Sequence, residues 1–165
     1  MLNTQTTFVL YDEEVEKVKE VIDNLLDASN AKSIYLVDKN GQMIASTGNV
    51  AEIDATSLAS LTAGNIAATG GLAKLIGEKE FAIQFHEGEK DNIHISVVSS
   101  RVILVVIFDQ RSSLGLVRLR VKKASNALTV IFDEINAKEK AQGSTQGMAN
   151  PFAEITDDDI DNLFS

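Results

Sequence analysis

Two histidines, a strand-end aspartate, a glycine pair and a run of terminal acids are the residues of this 165-residue chain whose types and spacing could do chemistry. His86 and His94 fall in consecutive predicted strands flanking a short loop, where two imidazoles can approach across a hairpin. A zinc centre needs more ligands than two, and with 2 histidines and no cysteine in the whole chain nothing nearby supplies a third. Asp109 closes the most apolar strand, a position that suits a catalytic carboxylate, but no base, nucleophile or second carboxylate is placed to work with it. Capping or hydrogen bonding at the Gln110-Arg111-Ser112 turn is its expected role. Gly70-Gly71 belongs to neither a Gly-x-x-x-x-Gly-Lys-Ser/Thr loop nor a Gly-x-Gly-x-x-Gly fingerprint, and it lies inside a helical pattern. Asp157 to Asp161 lacks the spacing and turn glycine of a calcium loop. The inventory gives no catalytic residue, no metal ligand and no cofactor-binding residue, and points to a protein that acts by binding.

The elements that must position these residues are read from periodicity. Phe8 to Ser29 predicts an amphipathic helix with Tyr11, Val15, Val18, Ile22 and Leu25 on one stripe. Ser33 to Val37 and Met43 to Ser46 predict a hairpin around Asp38-Lys39-Asn40-Gly41. A second helix spans Thr56 to Ile76, capped by Asp54 or Thr56 and ended near Gly77. Three strands follow, Glu80 to His86, Asn92 to Ser99 and Arg101 to Asp109. Val102 to Phe108 is apolar throughout, so that strand is expected inside the sheet with helices on both sides. Ser112 or Ser113 opens a long helix whose seam is Leu114, Val117, Val121, Ala124, Leu128, Ile131 and Ile135, with Arg118, Lys122 and Lys123 off it.

The middle helix carries no charge before Lys74. Leu58, Leu61, Ala68, Leu72 and Leu75 are expected to face the core, leaving Ala59, Ser60, Ala63, Ala67, Gly70 and Gly71 where a solvated face normally carries Lys, Glu and Gln. Each glycine costs a helix roughly 0.8–1.0 kcal/mol relative to alanine, so Gly64, Gly70 and Gly71 call for an offsetting contact. Either another polypeptide lies against the small residues, or the helix is sandwiched inside its own domain.

Length allows one domain with an appendage. No apolar run approaches the roughly 18 residues of a membrane helix and no secretory leader is evident, so a cytoplasmic protein without membrane insertion is expected. The net charge of −9, from 24 acids and 15 bases, argues against nucleic acid as a partner. The charge is uneven, because Glu154, Asp157, Asp158, Asp159 and Asp161 stand in Asn150 to Ser165 with no base. The expected organisation is a domain over 8–140, a flexible linker over 141–150 and an acidic amphipathic segment over 151–165. In that segment Ile160, Leu163 and Phe164 form an apolar side suited to docking on a partner; a disordered solubilising tail is the other reading.

Several long stretches carry a resemblance. Asp38-Lys39-Asn40-Gly41-Gln42, Thr56-Ser57-Leu58-Ala59-Ser60-Leu61-Thr62-Ala63-Gly64-Asn65, Gly70-Gly71-Leu72-Ala73-Lys74-Leu75-Ile76-Gly77-Glu78, Phe85-His86-Glu87-Gly88 and Ser112-Ser113-Leu114-Gly115-Leu116-Val117-Arg118 closely resemble bacterial members of the roadblock (dynein light chain type) family. So do Pro151-Phe152-Ala153-Glu154-Ile155 and Asp157-Asp158-Asp159-Ile160-Asp161-Asn162-Leu163-Phe164-Ser165. The resemblance implies an α+β roadblock fold, with a five-stranded antiparallel sheet, element order α-β-β-α-β-β-β-α and helices on both faces. It also implies a homodimer that engages a Ras-like small GTPase of the MglA type, two subunits per GTPase. Such a dimer stimulates GTP hydrolysis and sets cell polarity in motility, gathered at a cell pole. On this sequence the implied dimer and GTPase face is Ala59, Ala63, Ala67, Gly70, Gly71 and Lys74, and the implied C-terminal GTPase contacts, which influence nucleotide exchange, are Ile160, Leu163 and Phe164. The family implies no active site of its own and no inserted arginine; it repositions the GTPase's own catalytic groups, the alternative to a finger in trans. Arg101, Arg111, Arg118 and Arg120 keep the trans-arginine route open, and a non-activating scaffold or a small-ligand sensor of the same architecture are the competing readings.

Overall fold

The computed structural model describes residues 12–149, with side chains through residue 141. Helix α1 (Asp12–Ser29) opens with Asp12, Glu13 and Glu14, acids that the positive end of a helix dipole favours. Val18, Ile22 and Leu25 are buried along it. Val15, expected on the same stripe, is instead 44% exposed, one turn from the end of the helix. Tyr11 and the expected start at Phe8 lie outside the described residues.

Strands β1 (Ser33–Asp38) and β2 (Met43–Gly48) form the expected antiparallel hairpin. Its turn is closed by Gly41, whose φ of 91° favours glycine, and by the Gly41 N–H donating to the Asp38 carbonyl at 2.8 Å. After a short 3-10 turn comes α2 (Ala55–Leu75), then β3 (Ile83–Glu87), β4 (Asn92–Val98) and β5 (Val102–Phe108). These strands make one antiparallel sheet in the order β2-β1-β5-β4-β3. All seven residues of β5 are buried, as the unbroken apolar run requires of a central strand covered on both sides.

Alternation along the strands assigns the two faces. Tyr35, Val37, Ile95, Ile103, Val105 and Ile107 pack with Ala59 and Ile66 of α2. Ile34, Leu36, Leu104 and Val106, also buried, face the other way. Thr47 lies opposite Ile34 in the β1–β2 register and donates its hydroxyl to Asp23, which fixes α1 on this second face. Helix α3 (Leu114–Ala149) starts where Ser113 Oγ accepts the Leu116 N–H at 3.2 Å, and buries Val117, Val121, Ala124, Leu128 and Ile131.

The chain divides into two compact units, Met1–Ile131 and Phe132–Ser165. In the second, α3 continues through residues 141–149, where composition suggests a flexible linker. Gly143 and Gly147 weaken a helix there by about 1 kcal/mol each, while Ala141, Gln142, Gln146, Met148 and Ala149 favour one. The acidic segment over 151–165 lies outside the described residues.

Candidate functional site

The middle helix is built with both ends closed. At its start Asp54 accepts the backbone N–H groups of Thr56 and Ser57 at 3.0 and 3.2 Å, and those hydrogen bonds hold its carboxyl below the usual carboxylate range. At its end the Gly77 N–H reaches the Lys74 carbonyl and the Glu78 N–H the Ala73 carbonyl, at 3.2 and 2.9 Å. With Gly77 at φ 81° this is the Schellman closure. Two further bonds tie the helix to the edge strand β3, and a third within the helix orients one of their partners. Asn65 donates to Gln84 at 2.9 Å, Gln84 donates to Thr69 at 3.0 Å, and Thr69 donates back to the Asn65 carbonyl at 2.7 Å.

Its two faces are the reverse of what residue size suggests. Ala59, Thr62, Ile66 and Ala73 are the buried positions, and Ala59 and Ala73 are 1% and 0% exposed. Of the stripe expected in the core only Leu58 packs there, half-buried. Leu61, Leu72 and Leu75 point to solvent at 74%, 55% and 82% exposure. The reason is close approach. A methyl group built on Gly41 would stand 3.6 Å from the Ser60 Cα and 3.8 Å from the Ala63 Cβ, so the helix backbone runs against the β1–β2 turn with space only for small side chains. Ala59 is therefore a core residue and not part of an exposed face. Ala63 and Gly70 are half-buried, while Ala67, Gly71 and Lys74 are exposed. Beyond the adjoining residues and the helix's own backbone, no atom of the described residues lies within 4 Å of where a Cβ on Gly64, Gly70 or Gly71 would stand. The outward side thus combines exposed leucines with bare glycines, and Lys74 is its one charge.

This surface adjoins an unpaired strand edge. Among the described residues β3 has β4 as its only neighbour, and Ile83 on it is 62% exposed. The opposite edge, β2, is treated differently, since Lys19 Nζ donates to the Ser46 carbonyl at 2.9 Å, a lysine on an edge of the kind that discourages further strand pairing. Beside α2 the sheet is only partly covered, and a groove of about 590 Å³ opens between Leu58 and Leu61 above and Ile93, Ile95, Val105 and Ile107 below. This apolar groove has a signal in the sequence. The signal was the alternation of Ile93 and Ile95 on β4, which puts both on the α2 face.

The remaining candidates are not brought together. The register pairs Phe85 with His94 and His86 with Ile93, so the two imidazoles project from opposite faces of the sheet. His86 lines the α2 groove; His94 is buried on the other face with neither ring nitrogen hydrogen-bonded. Burial, and secondarily the charge of Arg118, push His94 below the usual histidine value. Asp109 accepts the Arg111 backbone N–H at 3.0 Å and its Nε at 3.1 Å, the local turn role expected of it, and the arginine lowers its carboxyl. Arg118 and Arg120 stand on α3 and face away from the α2 side of the sheet. Ile160, Leu163 and Phe164 lie outside the described residues.

An α+β module that, among the described residues, leaves the outer flank of its single α2-side helix apolar, next to a free strand edge, is an interaction module in architecture. The chain belongs to the Roadblock/LC7 family, whose domain model matches residues 17–108, from α1 to the last residue of β5. Among solved structures it is similar to Myxococcus xanthus MglB at 63% identity, covering 77% of this chain and 96% of that one with a TM-score of 0.73. The gliding protein MglB of Thermus thermophilus is 34% identical over 79% of this chain and 99% of that one, at 0.73. An MglB with a tetrameric arrangement is 32% identical over 80% and 99%, at 0.74. A search of curated protein sequences finds no match.

Proposed function

We propose that this chain is a homodimeric partner and activator of a Ras-like small GTPase of the MglA type, acting in bacterial cell polarity and gliding motility. The observation that carries the reading is the outward side of α2, where Leu61, Leu72 and Leu75 are exposed beside Gly64 and Gly71. Similarity to MglB proteins, one of them a gliding protein, supports the cellular context. Exposed leucines at that density mark a protein-contact surface, and glycines among them admit a second backbone. The unpaired β3 edge and the α2 flank together offer a surface that two copies can share, and the remaining α2 positions meet the GTPase. On this reading Ala63, Ala67, Gly70, Gly71 and Lys74 are the contact positions, and Ala59 supports them from beneath. Ile160, Leu163 and Phe164 supply the second contact, which modulates nucleotide exchange.

Activation works through the GTPase's own catalytic groups. Arg118 and Arg120 project from the face opposite α2, and Arg111 is engaged by Asp109 at 3.1 Å, so none of the three is poised at the proposed contact. Arg101 stands at the start of β5 and has interactions of its own. Among the described residues no helix is long and apolar enough to cross a membrane.

The test is complex formation with the cognate GTPase loaded with GTP or GDP, for the parent and Ala67→Arg. Loss of the complex in the variant, with an unchanged far-ultraviolet spectrum and melting profile, is expected; undiminished binding contradicts the surface assignment. Binding without faster hydrolysis by the parent would instead make the chain a scaffold.

A further inference from the structure

On the face of the sheet away from α2, helices α1 and α3 are neighbours whose outward charges have opposite sign. At about 100° per residue the outermost row of α1 is Glu13, Glu16, Glu20 and Asp27. All four are exposed, and none makes an ion pair among the described residues. Of the two lysines on α1, Lys19 is held by Asp23 and the Ser46 carbonyl, which leaves Lys17 alone. On α3 the balance is reversed. From Leu114 to Ile131 it carries Arg118, Arg120, Lys122 and Lys123 and no acid. These bases too are exposed and make no ion pair among the described residues. An acidic row and a basic row thus stand side by side, and neither neutralises the other.

Between the rows the surface is apolar. Leu119 and Val130 stand on the outer side of α3 at 63% and 59% exposure, on the same arc of the helix as Lys122 and Lys123. A groove of about 190 Å³ separates α3 from α1, with Val21, Ala28 and Ala127 among its lining. Charge pairing at an exposed surface is screened and weak, so a contact here needs this apolar area as well.

The sign pattern selects the occupant. An acidic protein or an anionic lipid surface would suit α3 and be repelled by α1, whereas a face with adjacent rows of both signs matches itself. We infer that this face binds a second copy of the chain, with α1 of each copy over α3 of the other about a two-fold axis that runs along the groove. That is an isologous contact, in which the same patch serves both copies. Glu16 and Glu20 of each copy meet Lys122 and Lys123 of the other, Leu119 and Val130 lie against the aliphatic stems of the facing acids, and the two grooves close over one another and cover Val21, Ala28 and Ala127. The contact is separate from α2, so copies that pair through α2 remain free to make it, and it does not depend on the GTPase reading.

Sedimentation equilibrium of the full chain reads the contact as mass. Leu75→Asp in every chain compared keeps pairing through α2 out of the comparison. Glu16→Lys with Glu20→Lys reverses the α1 row, and Lys122→Glu with Lys123→Glu reverses the α3 row; all four side chains are exposed, so neither change disturbs the core. The chain with its own charges is expected to reach twice the mass of either reversed chain, because each reversal sets like charges against each other at both helix pairs. A chain carrying both reversals should regain the doubled mass, and so should an equal mixture of the two singly reversed chains, since acid again meets base at every pair. Equal masses with and without a single reversal overturn the proposal. So does a doubly reversed chain, or a mixture, that stays at the lower mass.

Discussion

The two faces of the sheet are covered by helices that obey opposite rules. On one, α1 and α3 turn their large side chains inward, with Ile22, Leu25, Val117, Val121 and Leu128 buried, and keep charge outside. On the other, α2 turns alanine and threonine inward at Ala59, Thr62 and Ala73 and leaves three leucines outside. The first pattern finishes a domain. The second finishes nothing by itself, because burying small residues returns little of the roughly 25 cal/mol per Å² that apolar burial supplies, while the leucines remain in water. In the proposed function this inverted pattern is the surface that another polypeptide covers.

Shortening one leucine on each side separates the two patterns most strongly. Leu128→Ala, in a fully buried position, is expected to destabilise the chain by about 2–5 kcal/mol. Leu75→Ala, at 82% exposure, should cost under about 0.5 kcal/mol at low protein concentration. Urea unfolding of both variants measures the difference; comparable losses would mean that α2 is packed by its own chain. The effect of Leu75→Ala should appear instead in self-association followed by sedimentation.

A second distinction lies in pH. His94 sits buried on the α1–α3 face with its proton affinity lowered, first by burial and then by Arg118. The unfolded chain takes up a proton near the ordinary value of 6.5 while the folded chain resists it, so stability is full above that pH and falls as pH drops below it. The slope contributed is at most about 1.4 kcal/mol per pH unit. His94→Phe should remove that component from denaturant midpoints compared between neutral and mildly acidic buffer. A smaller effect is expected from Asp54→Ala, which frees the Thr56 and Ser57 N–H groups at the start of α2. Hydrogen exchange should rise in the first turn of α2 alone, and exchange that rises through the whole helix would show that the cap governs the element.

Most of the architecture was legible because it follows from period and punctuation. The Asn40-Gly41 turn, the continuous apolar run of β5 and the three-four seam of α3 each have one physical solution. α2 was not legible in the same way. It is apolar around its whole circumference, so periodicity cannot orient it, and ranking its residues by size puts Leu61, Leu72 and Leu75 inside. The deciding contact, Ser60 and Ala63 against Gly41, joins positions about 20 residues apart and depends on how close the helix settles on the turn. Part of the set of small residues that the sequence offers, Ala59 above all, serves that internal approach. The histidines show a milder version of the same limit. Their hairpin was legible, whereas the register that sends them to opposite faces is a one-residue matter.

Everything proposed for α2 requires that its outer flank be where a GTPase is met and stimulated. The measurement that bears on it most directly is single-turnover GTP hydrolysis by the cognate MglA-type GTPase, with the parent chain and with Gly71→Arg. Gly71 has open space where a side chain would grow, so the variant should fold, fail to accelerate hydrolysis and leave the intrinsic rate. Acceleration by the variant equal to that of the parent would contradict the assignment of this flank.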